Sequence, residues 1–130
     1  MVTDPIADFI TRLKNASMAR QPSISVPFSK LKSAIAEVLL KEGFITGFKK
    51  RGKKVKKYLE VTLKYENGIS EVRGVKRISK LGKRIYLGVK DIRAVKRGQG
   101  ILVLSTPKGL MTDSEAKRAK VGGEALFSMW

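Results

Sequence analysis

Within 130 residues the chain carries 28 lysines and arginines against 11 aspartates and glutamates, a formal net charge of +17. A compact state with that excess repels itself, so the fold has to spread its cations over the surface and gains from a polyanionic partner. A phosphate backbone relieves the repulsion and releases counterions in exchange. The cations are also clustered. Eight of them (Lys49, Lys50, Arg51, Lys53, Lys54, Lys56, Lys57 and Lys64) stand against the single acid Glu60, and ten more between Arg73 and Arg97 stand against Asp91 alone. An anionic membrane calls for a basic amphipathic helix. These clusters fall in strand-and-turn sequence, so nucleic acid is the expected partner and a membrane is not.

Hydrophobic residues make up 42% of the chain, enough for a packed core. Its length suits one ordinary domain or two small ones. There is no Cys and no His. That removes disulfides, thiolate nucleophiles, Cys/His zinc sites and histidine acid–base chemistry, and no cofactor or metal site is expected. No apolar run approaches the roughly 18–20 residues of a membrane span. The opening Met1-Val2-Thr3-Asp4-Pro5 has an acid where a signal peptide has basic residues, so a cytoplasmic protein is expected.

The pattern along the chain predicts an α+β fold. Asp4-Pro5 is a helix start, an N-cap acid followed by proline at the first helical position. Ile6, Phe9, Ile10 and Leu13 follow at helical spacing, to about Met18. Ile24 and Val26 mark a short strand. Ser29 begins a second helix that Gly43 stops. Phe44 to Phe48 reads as a strand, Lys49 to Lys57 as a basic turn around Gly52, and Leu59 to Tyr65 as an alternating strand. Asn67-Gly68 is a tight hairpin turn. Beyond it, Val72–Ile78, Arg84–Leu87 and Ile101–Ser105 are short strands. Thr112 and Glu115 have capping-box spacing for a short helix ended by Gly122-Gly123, and a last strand reaches Trp130. The expected architecture is two small tandem α+β domains. Residues 1–65 have two helices on a short sheet, and residues 66–130 are mostly β with a short helix.

Catalytic and nucleotide motifs fail on inspection. Gly47 to Lys54 has the glycine and lysine spacing of a phosphate-binding loop, but its last position is Lys54 where Ser or Thr should hold magnesium. Gly98-Gln99-Gly100 lacks the third glycine of a dinucleotide fingerprint. Asp4 is accounted for as a cap, and Asp113 and Glu115 complement a helix dipole, so no paired carboxylates remain for acid–base work. Arg97 to Val103 faintly echoes an RNA-recognition strand, yet Gln99, Ile101 and Val103 stand where stacking aromatics belong. A reader of folded RNA, working by shape, 2′-hydroxyls and phosphates, fits better than an enzyme or a single-strand stacking platform.

The most informative stretch is Ser105-Thr106-Pro107-Lys108-Gly109-Leu110-Met111-Thr112. It follows an apolar strand and offers two adjacent hydroxyls, a cation and a glycine in one turn. Hydroxyls donate to and accept from base edges and 2′-hydroxyls. Lys108 neutralises a phosphate, and Gly109 allows close backbone approach.

At this point the chain resembles the bacterial small-subunit ribosomal protein eight family, along nearly its whole length. The resemblance is carried by Thr3-Asp4-Pro5-Ile6-Ala7-Asp8 with Thr11-Arg12 and Asn15, then Ser29-Lys30-Leu31-Lys32 and Glu42-Gly43-Phe44-Ile45. It continues through Leu63-Lys64-Tyr65, Arg77-Ile78-Ser79, Arg84-Ile85-Tyr86, Gly100-Ile101, Leu104-Ser105-Thr106 with Lys108-Gly109, Met111-Thr112-Asp113 and Gly122-Gly123-Glu124. The resemblance implies two α+β domains and a primary RNA-binding protein of the ribosome, cytoplasmic in a bacterium or else organellar. Its implied partner is an irregular stem in the central domain of small-subunit ribosomal RNA, where it supports assembly. It implies RNA contact by Ser105, Thr106, Lys108, Gly109 and Thr112, by Arg84, Tyr86 and Glu124, and in the first domain by Asp4, Ser29, Lys30 and Lys32. Pro107 departs from the family's usual serine, losing a hydroxyl and a backbone donor while stiffening the turn. Neighbouring small-subunit proteins, five and twelve among the candidates, and the protein's own messenger RNA are further implied partners. The Lys49–Lys57 run matches no family signature; it either contacts phosphates or is merely solvated. The rival reading is a general nucleic-acid compacting protein that binds by charge alone.

Overall fold

The structure, a computed structural model, describes residues 4–130, with Arg97 described by its backbone only. Met1 to Thr3, read above as an unsuitable signal-peptide start, lie outside the described residues. The chain is α+β and forms two compact units: Asp8–Arg73, and the residues up to Ala7 together with Gly74–Trp130.

The Asp8–Arg73 unit holds most of helix α1 (Pro5–Met18), then β1 (Ser23–Pro27), α2 (Lys30–Lys41), β2 (Ile45–Arg51) and β3 (Tyr58–Leu63). The strands form an antiparallel sheet in the order β1-β3-β2. Val26 lies opposite Leu59, and Val61 lies between Ile24 and Phe48. Leu59, Val61 and Leu63 are buried with Ile35, Ala36 and Leu39 of α2, which packs on β2 and β3. Ser29 caps α2 as its sequence suggests, accepting the Lys32 amide at 3.1 Å. The basic run differs from expectation. Its first three cations lie in β2, because Lys49, Lys50 and Arg51 pair with Glu60, Leu59 and Tyr58, and only residues 52–57 form the tip. The hairpin of β4 (Tyr65–Glu66) and β5 (Ile69–Ser70) turns at Asn67-Gly68. It belongs to this unit because the Tyr65 hydroxyl donates to the Gln21 carbonyl at 2.5 Å and the Ser70 hydroxyl meets that of Ser17 at 2.9 Å.

The other unit contains β6 (Val75–Arg77), β7 (Tyr86–Leu87), two 3-10 turns (Val89–Asp91 and Val95–Gly98), β8 (Ile101–Thr106), β9 (Gly109–Thr112), α3 (Asp113–Ala119) and β10 (Gly123–Met129). Its antiparallel sheet runs β6-β10-β8-β9, and β7 also pairs with β10. Ile92, Leu102, Leu104, Ala116 and Ala125 form the core, with Leu87, Met111 and Val121 packed against it. Two expectations are corrected here. Gly109 to Thr112 is a strand, since pairing with β8 supplies what its sequence does not advertise. The stop of α3 is Lys120, in the left-handed region at φ 57°, and Gly123 opens β10 instead.

Candidate nucleic-acid interface

Strands β8 and β9 are joined by the two residues Pro107 and Lys108, closed by Thr106 opposite Gly109. Proline suits the first turn position because its ring fixes φ near the value a turn needs. Gly109 has φ +106°, a conformation strained for any side chain. The space over its Cα is nevertheless open, with nothing within 4 Å of an added Cβ. The Thr106 hydroxyl donates to the Gly109 carbonyl at 2.8 Å and accepts the Lys108 amide at 3.1 Å. Its donor is therefore spent inside the turn. Ser105, Lys108 and Gly109 are exposed.

Across the sheet, Glu124 of β10 lies opposite Tyr86 on one side and Ser105 on the other, and Ser105 lies opposite Leu110. Directly opposed residues of antiparallel strands project to the same face. Tyr86, Glu124, Ser105 and Leu110 thus form one row over four strands. Tyr86 is 70% exposed, so the row opens to solvent. Arg84 donates from Nη1 to Glu124 Oε2 at 3.2 Å and fixes that carboxylate. Gly123 lets the strands close up here: a Cβ on it would sit 2.2 Å from the Ser105 carbonyl oxygen. The basic turn before Arg84 is clamped by Ser79, whose buried hydroxyl accepts the Ile85 amide at 2.9 Å and donates to the Ile85 carbonyl at 3.2 Å. Within it the Lys80 and Lys83 backbones exchange hydrogen bonds. Among the described residues, Lys80, Lys83 and Lys108 have no ion-pair partner.

The row offers an exposed phenol for stacking on a base or ribose, and a hydroxyl able to donate and accept. It also holds an oriented carboxylate able to accept from an amino group, rimmed by free ammonium groups for phosphates.

The other sequence-predicted residues are not members of this row. Thr112 is fully buried and forms the capping box of α3 with Glu115, so its hydroxyl is engaged at the helix start. Asp4 caps α1 through the Ala7 amide at 3.1 Å and pairs with Arg77 at 2.9 Å. Burial alone would raise the Asp4 carboxyl; the Arg77 hydrogen bond and charge and the Ala7 and Ile6 amides outweigh it and hold the group below its ordinary 3.8. Ser29 is engaged as the α2 cap, Lys32 is buried with Nζ on the Pro27 carbonyl at 3.1 Å, and Lys30 is exposed. The sequence reading did not single out Leu110, which joins the row, or Ser79, Lys80 and Lys83 of the turn before Arg84. The charge of the 80–83 turn was visible, and Arg84 follows it directly; that Arg84 meets Glu124 depends on strand register.

The family model for ribosomal protein S8 matches residues 4–130. The chain belongs to the ribosomal protein S8 family. It is 48% identical over 129 residues to the small ribosomal subunit protein uS8 of Dictyoglomus thermophilum, covering 99% of this chain and 98% of the relative. It is 43% identical over 138 residues to that of Thermus aquaticus, covering 100% of each. It is 49% identical over 125 residues to that of Dechloromonas aromatica, covering 96% and 95%. The resemblance read from the residues names the same family. S8 is a family of structural ribosomal proteins and not of enzymes. No described helix is long and apolar enough to cross a membrane.

Proposed function

We propose that this chain is a structural constituent of the small ribosomal subunit in the cytoplasm. It binds an irregular stem in the central domain of small-subunit ribosomal RNA through the 74–130 unit and supports assembly there. The observation that carries this reading is the open row of Tyr86, Glu124 and Ser105 beside the Lys108-Gly109 turn, in a chain of the S8 family. Ser105 and Tyr86 meet the stem's minor-groove side, Glu124 accepts from a base amino group or orients Arg84, and Lys108 holds a phosphate. Thr106 and Thr112 shape the hairpin that presents them. Asp4, Ser29, Lys30 and Lys32 lie along the RNA backbone in this reading, Lys30 as the free cation among them. Neighbouring small-subunit proteins and the protein's own messenger RNA remain proposed partners.

Titrating the stem and an unrelated duplex of equal length tests the assignment. Ser105→Ala, which removes a hydroxyl and no charge, weakens binding to the stem more than to the duplex. Equal loss on both, or wild-type binding no tighter to the stem than to the duplex, refutes it and favours a compacting protein that binds by charge alone.

A further inference from the structure

The β2–β3 hairpin carries cations that the row on the other unit does not use. The fold engages the first three. Lys49 faces Glu60 across the sheet, Lys50 Nζ lies 4.2 Å from the Phe28 ring centre, and Arg51 pairs with Glu60 at 3.2 Å. The four that follow, Lys53, Lys54, Lys56 and Lys57, are all exposed, and among the described residues none has a side-chain hydrogen bond or an ion pair. At the apex between them Val55 is 94% exposed.

This tip is built, not slack. The Lys56 amide donates to the Lys53 carbonyl at 2.8 Å, closing a turn, and the Phe28 amide holds the Lys57 carbonyl at 3.1 Å. Gly52, at φ +99°, permits the closure: a Cβ there would lie 2.2 Å from the Lys56 carbonyl oxygen. The backbone thus holds four like charges together with no carboxylate to offset them, an arrangement that costs stability by itself and that a polyanion relieves. Because the backbone of the turn is fixed beforehand, the ordering cost on binding falls on the four lysine side chains alone.

We propose that the Lys53–Lys57 tip is a second, sequence-independent RNA site, which takes the phosphate backbone of an RNA segment other than the stem held by the Ser105–Gly109 turn. This rests on the ribosomal reading above for the identity of the polyanion. The two sites share one chain, so the second contact adds avidity wherever one RNA reaches both. Its ligand chemistry is consecutive phosphates, with no base readout: the tip offers ammonium groups and one valine, and nothing that distinguishes one base edge from another.

The test compares wild type with a variant carrying Lys53→Gln, Lys54→Gln, Lys56→Gln and Lys57→Gln, and with the matching four-fold Lys→Arg variant. Each is titrated with the isolated stem, with full-length small-subunit RNA and with phosphatidylserine-containing vesicles, over a range of salt. On full-length RNA the Gln variant loses about tenfold or more in affinity, and its log–log salt slope becomes shallower by about 3, four sites at about 0.7–0.9 each. On the stem alone it matches wild type, and the Arg variant matches wild type on both RNAs. An unchanged slope on full-length RNA, equal loss on stem and full-length RNA, or a loss confined to vesicles overturns the proposal. If wild type shows no preference for the stem while the Gln variant still loses full-length binding, the tip site stands and the stem assignment falls.

Discussion

Replacing Thr106 by valine separates the two adjacent hydroxyls of the 105–109 turn. The substitution keeps the shape of the side chain and removes only the hydroxyl, with its bonds of 2.8 Å to the Gly109 carbonyl and 3.1 Å from the Lys108 amide. Each bond is worth about 0.5–1.5 kcal/mol net. Lys108 and Gly109 are exposed, so water takes over part of the lost bonding, which puts the total near the low end, about 1–2 kcal/mol. In a unit of this size that lowers the thermal midpoint by roughly 5–10 °C. Stem affinity falls because the turn loosens, but the salt slope holds, since no phosphate contact is removed. Ser105→Ala does the converse: the exposed hydroxyl holds nothing in the fold, so stability stays within about 0.5 kcal/mol. Its stem affinity drops about fivefold, the equivalent of about 1 kcal/mol for one hydrogen bond. Paired thermal melts and RNA titrations of the two variants read both quantities. Should Thr106→Val leave the midpoint untouched and lose affinity as Ser105→Ala does, Thr106 reads RNA directly and the internal bonding argument is wrong.

Other expectations follow from the same geometry. Lys108→Ala makes the log–log salt slope on the stem shallower by about 0.7–0.9, one phosphate's worth, measurable by titration at several salt concentrations. Gly123→Ala forces β10 away from the Ser105 carbonyl and costs about 1–3 kcal/mol in urea unfolding, with Tyr86 and Ser105 no longer aligned. Asp4→Asn keeps a capping side chain but removes the charge facing Arg77, so it unfolds at lower urea than wild type at neutral pH. The folded carboxyl titrates below its ordinary 3.8, so its contribution is complete above that value and is lost as pH falls through the lowered pKa. Urea midpoints of the two proteins therefore converge in acid, and a gap that persists at low pH contradicts the ion-pair account.

What the sequence made legible was local. Asp4, Ser29 and Thr112 announce themselves as caps because a cap is decided within three or four residues, and all three perform that task. The row was not legible, because Tyr86, Glu124 and Ser105 meet only through the register of three separate strands. The paired glycines misled for a related reason. A local rule assigns Gly122-Gly123 to a helix end, yet Lys120 makes that stop, and Gly123 is needed where β10 crosses the Ser105 carbonyl. One inference was within reach of the sequence and bears directly on the site. Consecutive residues of a strand face opposite sides, so once Ser105 and Thr106 are placed in β8 only one of the two hydroxyls can share a face with Glu124. The alternation puts Ser105 on the face of Glu124 and Thr106 on the opposite one, where its hydroxyl closes the hairpin.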